Sequence, residues 1–317
     1  MKRSIPDPVS PSLPDSTVPQ AIPAPRPRDL PAPIRWWREL AQLIKFRLTL
    51  LVLLTTLIGY CIGSERPFDG LRALHAILGT ALVAAAAAIL NEVIERRQDA
   101  QMTRTQDRPI AAGRIDGLHA AAAGVASALA GIGYLAVFAN ALAGLVAAAT
   151  LATYVCLYTP LKLVSPWNTW VGAVSGALPP VIGYVSAKNT IDEPALFLFT
   201  ILFLWQMPHF FAIAWLYRND YEKAGFRMLV VVDATGRKLT SQTVFFTSLL
   251  LPAGLWPMLA GRAALPYGIG SVALGSLFLW AALRFHNTPN RTTARGLFFS
   301  SIAYLPLILG LLVLSWR

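Results

Sequence analysis

The sequence predicts an all-α, polytopic membrane protein with about nine transmembrane helices in a bundle, and three observations carry that reading. Of its 317 residues, 55% are hydrophobic and only 14% charged, with a mean hydropathy of +0.53. A soluble chain of this size would carry nearer 25% charge. Apolar stretches close to the ~20 residues needed to cross a bilayer recur along the chain. The basic residues then divide unequally between alternate loops, as the positive-inside rule requires of a multi-spanning protein.

The elements follow in order. Residues 1–35 hold 10 of the 23 prolines and too little apolar surface to fold, so they read as a disordered, partly extended tail. That tail lacks the apolar core of a signal peptide, and Asp7, Asp15 and Asp29 among the prolines speak against a transit helix. Residues 36–317 form the membrane domain. Its spans fall at about 41–62, 72–91, 118–137, 140–159, 168–187, 194–216, 241–260, 266–283 and 297–315, with 118–159 nearly continuous and divided only around Asn140. The N-terminal flank and the even-numbered loops contain 22 of the 27 Lys and Arg residues, the opposite side only 5. The N-terminus and the long loops are therefore expected in the cytoplasm, at a bacterial inner membrane. The lipid bilayer also accounts for the net charge of +11 without a nucleic-acid partner. Cys61 and Cys156 lie in apolar runs with no partner motif and read as packing residues.

Only the loops after the second and sixth spans, about 25 residues each, are long enough for chemistry. The first, "NEVIERRQDAQMTRTQDRPI", sets Asn91, Glu95 and Asp99 four residues apart. On a helix such spacing places three oxygen-bearing side chains on one face, each about 40° further round. Glu92, about 100° from Asn91, is expected to point away and to matter little. The second, "LYRNDYEKAGFRMLVVVDATGRK", sets Asp220 among Arg218, Lys223 and further cations. Hard oxygen ligands suit Mg²⁺, which binds through a few carboxylates and substrate phosphates. Lysines and arginines suit the phosphates themselves. The joint pattern is a Mg-diphosphate site above an apolar cavity, where an allylic diphosphate has its head in the loops and its tail in the bundle.

Two spans carry polar residues that are costly in lipid. "SPWNTWVGAVSGALPPVIGY" combines Asn168 and Ser175 with small residues and a proline pair that should kink it. "FLWQMPHFFAIAW" places Trp205, Gln206 and His209 in the hydrocarbon, where a polar residue is a functional candidate.

Taken with "YTPLKLVSPWNTWVGAVSGALPP", "LWQMPHF" and "NDYEKAGFRML", these motifs make residues 40–315 resemble the UbiA-type intramembrane prenyltransferases, and within them the branch that farnesylates haem. The resemblance implies Asn91, Glu95, Asp99 and Asp220 as the catalytic Mg²⁺-diphosphate ligands. It implies Arg104, Arg108, Lys162, His209, Arg218 and Lys223 as substrate-binding residues, with His209 facing haem iron or propionates and Arg218 the propionates. It implies farnesyl diphosphate and haem b as substrates, and haem A synthase or oxidase assembly proteins as partners. Many relatives carry Asp where this chain has Glu95 and Arg97; glutamate keeps the charge, whereas Arg97 cannot be a ligand. Ala224 stands where quinone prenyltransferases pair a second acid with Asp220, which favours the haem branch. Prenylation of an aromatic quinone precursor is the rival within enzymes. A secondary transporter is the rival outside them, but its polar residues would lie at the bilayer midplane.

Overall fold

The computed structural model describes residues 32–65 and 67–317, with side chains from Trp36 onward. The disordered tail expected up to residue 31 lies outside the described residues. Ala32–Arg35 instead opens helix α1 (Ala32–Leu43), where Pro33 sits in the first turn and has no helical hydrogen bond to lose. By internal contacts the chain separates into Met1–Arg38 and Glu39–Arg317. Among the described residues, the second unit holds all nine helices long and apolar enough to cross a membrane, and no strand. The protein is a multi-pass membrane protein.

These helices are α2 (Phe46–Gly63), α3 (Gly70–Asp99), α4 (Gly117–Phe138), the run Ala141–Leu161, the run Asn168–Lys188, α9 (Glu193–Leu216), α12 (Arg237–Leu259), α13 (Leu265–Asn287) and α14 (Arg291–Ser315). The fourth run comprises α5 (Ala141–Ala152), a π-helical turn (Thr153–Tyr158) and α6 (Thr159–Leu161). The fifth is broken by Pro179 and Pro180 into α7 (Asn168–Ala177) and α8 (Pro179–Lys188). Short helices α10 (Arg218–Lys223) and α11 (Leu229–Val232) form the second long loop.

The nine expected spans are present, and α3, α12 and α14 run several residues past their expected borders. The first was expected from about residue 41, but the chain breaks at Lys45, whose φ of 49° is left-handed, and α2 begins at Phe46. The split at Asn140 is clean. Its carboxamide oxygen accepts from Ala143 N at 2.8 Å, capping α5, while Nδ2 donates to Val185 O at 2.7 Å. Asp116 caps α4 and Asn290 with Thr293 forms a capping box at α14.

Small residues let α2 and α8 touch. A side chain at Gly59 would collide with the Pro180 carbonyl, and one at Gly183 with that of Thr56. Close backbone approach of this kind replaces the hydrophobic drive that lipid cannot supply. Large aromatics such as Phe197, Phe211, Phe246 and Phe278 fill the interior, while Leu129, Leu145, Leu277 and Leu314 face outward.

Helix α3 places the site. Its 30 residues span about 45 Å at 1.5 Å per residue, well beyond a hydrocarbon core of ~30 Å. Its last turns therefore leave the apolar zone, carrying Asn91, Glu95 and Asp99 with them.

Candidate active site

The four-residue ladder forms as the helical period requires. Asn91, Glu95 and Asp99 are all buried, at 1%, 5% and 0% exposure. Each meets a cation or hydroxyl from a different element. Lys45 Nζ donates to Asn91 Oδ1 at 2.7 Å, and Asn91 Nδ2 donates to Thr159 Oγ1 at 3.2 Å. Lys162 Nζ donates to Glu95 Oε1 at 2.7 Å. Arg108 Nη1 donates to Asp99 Oδ2 at 2.7 Å. The first-loop chain returns on itself to make that last contact, with Thr105 Oγ1 donating to Asp99 O at 3.0 Å.

Glu92 corrects the sequence reading. It does not point away: it is 1% exposed, 4.0 Å from Arg108 Nε, and both its carboxylate oxygens lack a hydrogen-bond partner. A 100° step turns a side chain away from its neighbour on an isolated helix, but here Arg108 folds over that flank and closes it in. Lys45 was missed for a different reason. A lysine at the head of a span reads as a positive-inside anchor, and only the left-handed turn at residue 45 brings it over α3.

The π-helical turn gives Lys162 its setting. It carries Tyr154 and Tyr158, with ring centroids 5.2 Å apart, and Lys162 Nζ lies 4.4 Å from the Tyr158 centroid. Gly172 makes room for that ring, since a Cβ there would come within 2.7 Å of it. A single π-helical turn inside an α-helix shifts the residues after it around the axis, a device common at functional sites.

The local charges act strongly on one another. Burial, then the Arg108 guanidinium, push the Lys45 ammonium down to about 7 against the pull of Glu95 and Glu92. Burial also opposes the charge of Lys162, yet Tyr158 and Glu95 outweigh it and hold that ammonium above its ordinary value. Arg108 is likewise held above its ordinary value, burial being outweighed by Asp99 and Glu92.

The second loop meets the first through aromatic residues. Arg104 Nη2 donates to the Tyr221 hydroxyl at 3.2 Å, and its guanidinium lies 5.0 Å from the Tyr217 centroid. Arg227 N donates to Lys162 O at 2.7 Å. Asp220, next to Tyr221, is half-buried on α10, and no side-chain bond joins it to the ladder among the described residues. Arg218 is half-buried and Lys223 exposed on the same short helix. His209 lies elsewhere, on α9 against α14. Its Nδ1 is 2.7 Å from Ser301 Oγ, and its ring stacks on Trp205 and Phe298.

Thus Asn91, Glu95, Asp99, Arg108 and Lys162 share one cluster with Lys45, Glu92 and Thr159. Arg104 bridges the loops, Asp220, Arg218 and Lys223 stand beside that bridge, and His209 is apart. Among the described residues no three His, Cys, Asp or Glu side chains form a ready-made metal centre. Nonetheless the donor set suits Mg²⁺: Asp99 Oδ1 and both Glu92 oxygens are buried, hard and unpartnered. Three carboxylates face three basic side chains, so a bound cation and anion can each take over partners from ion pairs already in place.

A buried acid-and-cation cluster at one end of an apolar helical bundle has the makings of an intramembrane enzyme site. The sequence matches the UbiA prenyltransferase family over residues 52–303, and the chain belongs to that family. A protein of Solibacter usitatus (strain Ellin6076) named protoheme IX farnesyltransferase is 42% identical over 287 residues, 88% of this chain and 98% of its own length. Among solved structures, that of a digeranylgeranylglyceryl phosphate synthase superposes with a TM-score of 0.75 at 18% identity, covering 88% of this chain and 98% of its own. A UbiA homologue from Archaeoglobus fulgidus, bound to DMAPP and Mg²⁺, gives 0.68 at 14% identity, covering 86% and 99%. At these identities the structural likeness shows the fold.

Proposed function

We propose that this protein transfers the farnesyl group of farnesyl diphosphate to a vinyl side chain of haem b, giving haem O and diphosphate, for use in haem-copper oxidases. The observation that carries the reading is the buried ladder of Asn91, Glu95 and Asp99 matched against Lys45, Lys162 and Arg108 at the mouth of the apolar bundle. Likeness over nearly the whole length of a protein named protoheme IX farnesyltransferase supports the choice of acceptor. The absence of a second acid at Ala224 supports it over a quinone precursor.

In this reading Asn91, Glu95, Asp99 and Glu92 would hold Mg²⁺, with Asp220 of the second loop as a further carboxylate for the same ion. When bound, the metal takes up negative charge developing on the leaving diphosphate. Lys45, Lys162, Arg108 and Arg104 hold the diphosphate oxygens, with Arg218 and Lys223 at the rim. The farnesyl C1–O bond breaks with its electron pair leaving on diphosphate, and the cations stabilise that charge in a site shielded from water. The Tyr158 and Tyr154 faces stand beside the cluster, where an allylic cation gains from aromatic quadrupoles. The vinyl π-pair of haem then bonds C1, and water adds to the resulting cation with loss of a proton. His209 serves haem through its ring nitrogen not engaged by Ser301.

The catalytic unit excludes residues 1–35, and the long loops face the cytoplasm of a bacterial inner membrane. Purified protein given haem b, farnesyl diphosphate and MgCl₂ should yield haem O by mass. Prenylation of a hydroxybenzoate with none of haem would establish the quinone-precursor reading instead.

A further inference from the structure

Arg96 and Arg97 take no part in the acid cluster. Arg97 lies about 200° round α3 from Glu95, and both arginines are exposed. On that face the end of α3 and the start of α4 line an open cavity of about 570 Å³, formed by Val93, Ile94, Arg96, Arg97, Gly117 and Leu118 among others. Gly117 gives the Arg96 guanidinium its place, because a Cβ there would lie 3.2 Å from Nη1. Arg108 and Arg114 of the same loop carry ion pairs, whereas Arg96 and Arg97 carry none among the described residues. Asp116, the neighbouring acid, is already committed. Its Oδ2 accepts from Leu118 N and His119 N, both at 3.0 Å, and lies 2.8 Å from His119 Nδ1.

Apart from the Gln98 carboxamide, the rest of the lining is apolar. Ile94 and Leu118 remain 46% and 78% exposed, at the level where α3 leaves the hydrocarbon. Two free guanidinium groups above exposed aliphatic side chains match a molecule with an anionic head and an alkyl tail. They do not match a free anion, which gains nothing from Ile94 and Leu118. The cavity is also on the side that holds 22 of the 27 basic residues, the one where anionic lipid gathers basic segments.

We propose that this cavity is a binding site for an anionic phospholipid, its phosphate held by Arg96 and Arg97 and its first acyl carbons laid against Ile94 and Leu118. The site is separate from the catalytic cluster and is the same whichever prenyl acceptor the enzyme uses.

The test is native mass spectrometry of the full chain released from mixed micelles containing equal palmitoyl-oleoyl phosphatidylglycerol and phosphatidylcholine. The wild type should retain one phosphatidylglycerol in preference to phosphatidylcholine. Arg96→Gln with Arg97→Gln should lower its occupancy roughly 25-fold, about fivefold for each arginine. Gly117→Leu should lower it comparably while leaving both charges in place, because it fills the cavity. Arg291→Gln with Arg295→Gln, two exposed arginines of another cytoplasmic loop, should leave it unchanged. Three results would overturn the proposal. They are equal retention of the two lipids by the wild type, equal losses in the two double variants, and displacement of the lipid by inorganic phosphate at matching concentration. The first means that the anionic head is not selected, the second means bulk charge alone, and the third means an anion site rather than a lipid site.

Discussion

Arg108 is the keystone of the acid cluster, and Arg108→Leu tests that directly. Its guanidinium is 2.7 Å from Asp99 and 4.0 Å from Glu92, with side-chain exposures of 18% for the arginine and 1% for each acid. Leucine fills similar space but leaves two buried carboxylates with no cation between them. Breaking a buried pair by removing one partner costs about 3–5 kcal/mol. Partial access of water to Arg108 argues for the lower end, about 3 kcal/mol. At roughly 2 °C per kcal/mol for a large domain, the unfolding midpoint in detergent should fall by about 6 °C at fixed scan rate. Glu92→Gln placed in the Arg108→Leu background should recover part of the loss, because it removes one of the stranded charges. Arg108→Lys should fall between, having charge but no planar fork to reach both acids. Thermal unfolding followed by circular dichroism, and by the reaction of half-buried Cys61 with a thiol dye in a background lacking the exposed Cys156, gives the readout. A midpoint within about 1 °C of wild type for Arg108→Leu, or further loss on adding Glu92→Gln, would refute the reasoning.

Asp99→Ala and Asp220→Ala should each lower haem O formation by at least about 100-fold, while Glu95→Asp stays within a few-fold; near-normal, Mg²⁺-dependent turnover by both alanine variants would leave these acids without a catalytic role. Asp233, although partly raised by burial, is held below the ordinary carboxylate range by Leu239 N–H and the Thr235 hydroxyl at the start of α12. A depressed folded pKa contributes stability that is present above the unfolded value and lost as pH falls through the folded one. Asp233→Ala should therefore cost about 1–2 kcal/mol at neutral pH and flatten the loss of stability below about pH 4, read from denaturation midpoints across that range. In a cysteine-free background, Thr103→Cys and Ala234→Cys, both at exposed positions, should resist impermeant thiol reagents from outside sealed cells. Ready labelling would reverse the orientation.

Much of this protein is written in its order of residues. Nine apolar runs of the right length become nine helices because a backbone in lipid must satisfy its own hydrogen bonds. Asn140 and the proline pair at 179–180 break the chain where their local chemistry dictates. The one-face ladder of Asn91, Glu95 and Asp99 follows from the helical period alone, and its chemistry from oxygen and charge. What the sequence could not reach is whatever depends on a second element arriving from a distance. Lys45 is 46 residues from Asn91, and Lys162 is 67 from Glu95; neither spacing carries a period. Glu92 was placed on the wrong side because helix geometry fixes where a side chain starts, not which neighbour covers it. Arg104 also rests on Tyr217 and Tyr221, a meeting of two loops that only packing decides. His209 was legible as an unusual intramembrane residue, but its partner Ser301 lies 92 residues on, on α14. Local periods fix helices and the faces they present, whereas charge pairing between faces depends on how the helices pack. That packing rests on contacts such as Gly59 against Pro180 and Gly183 against Thr56, where the absence of a side chain sets the distance between two backbones.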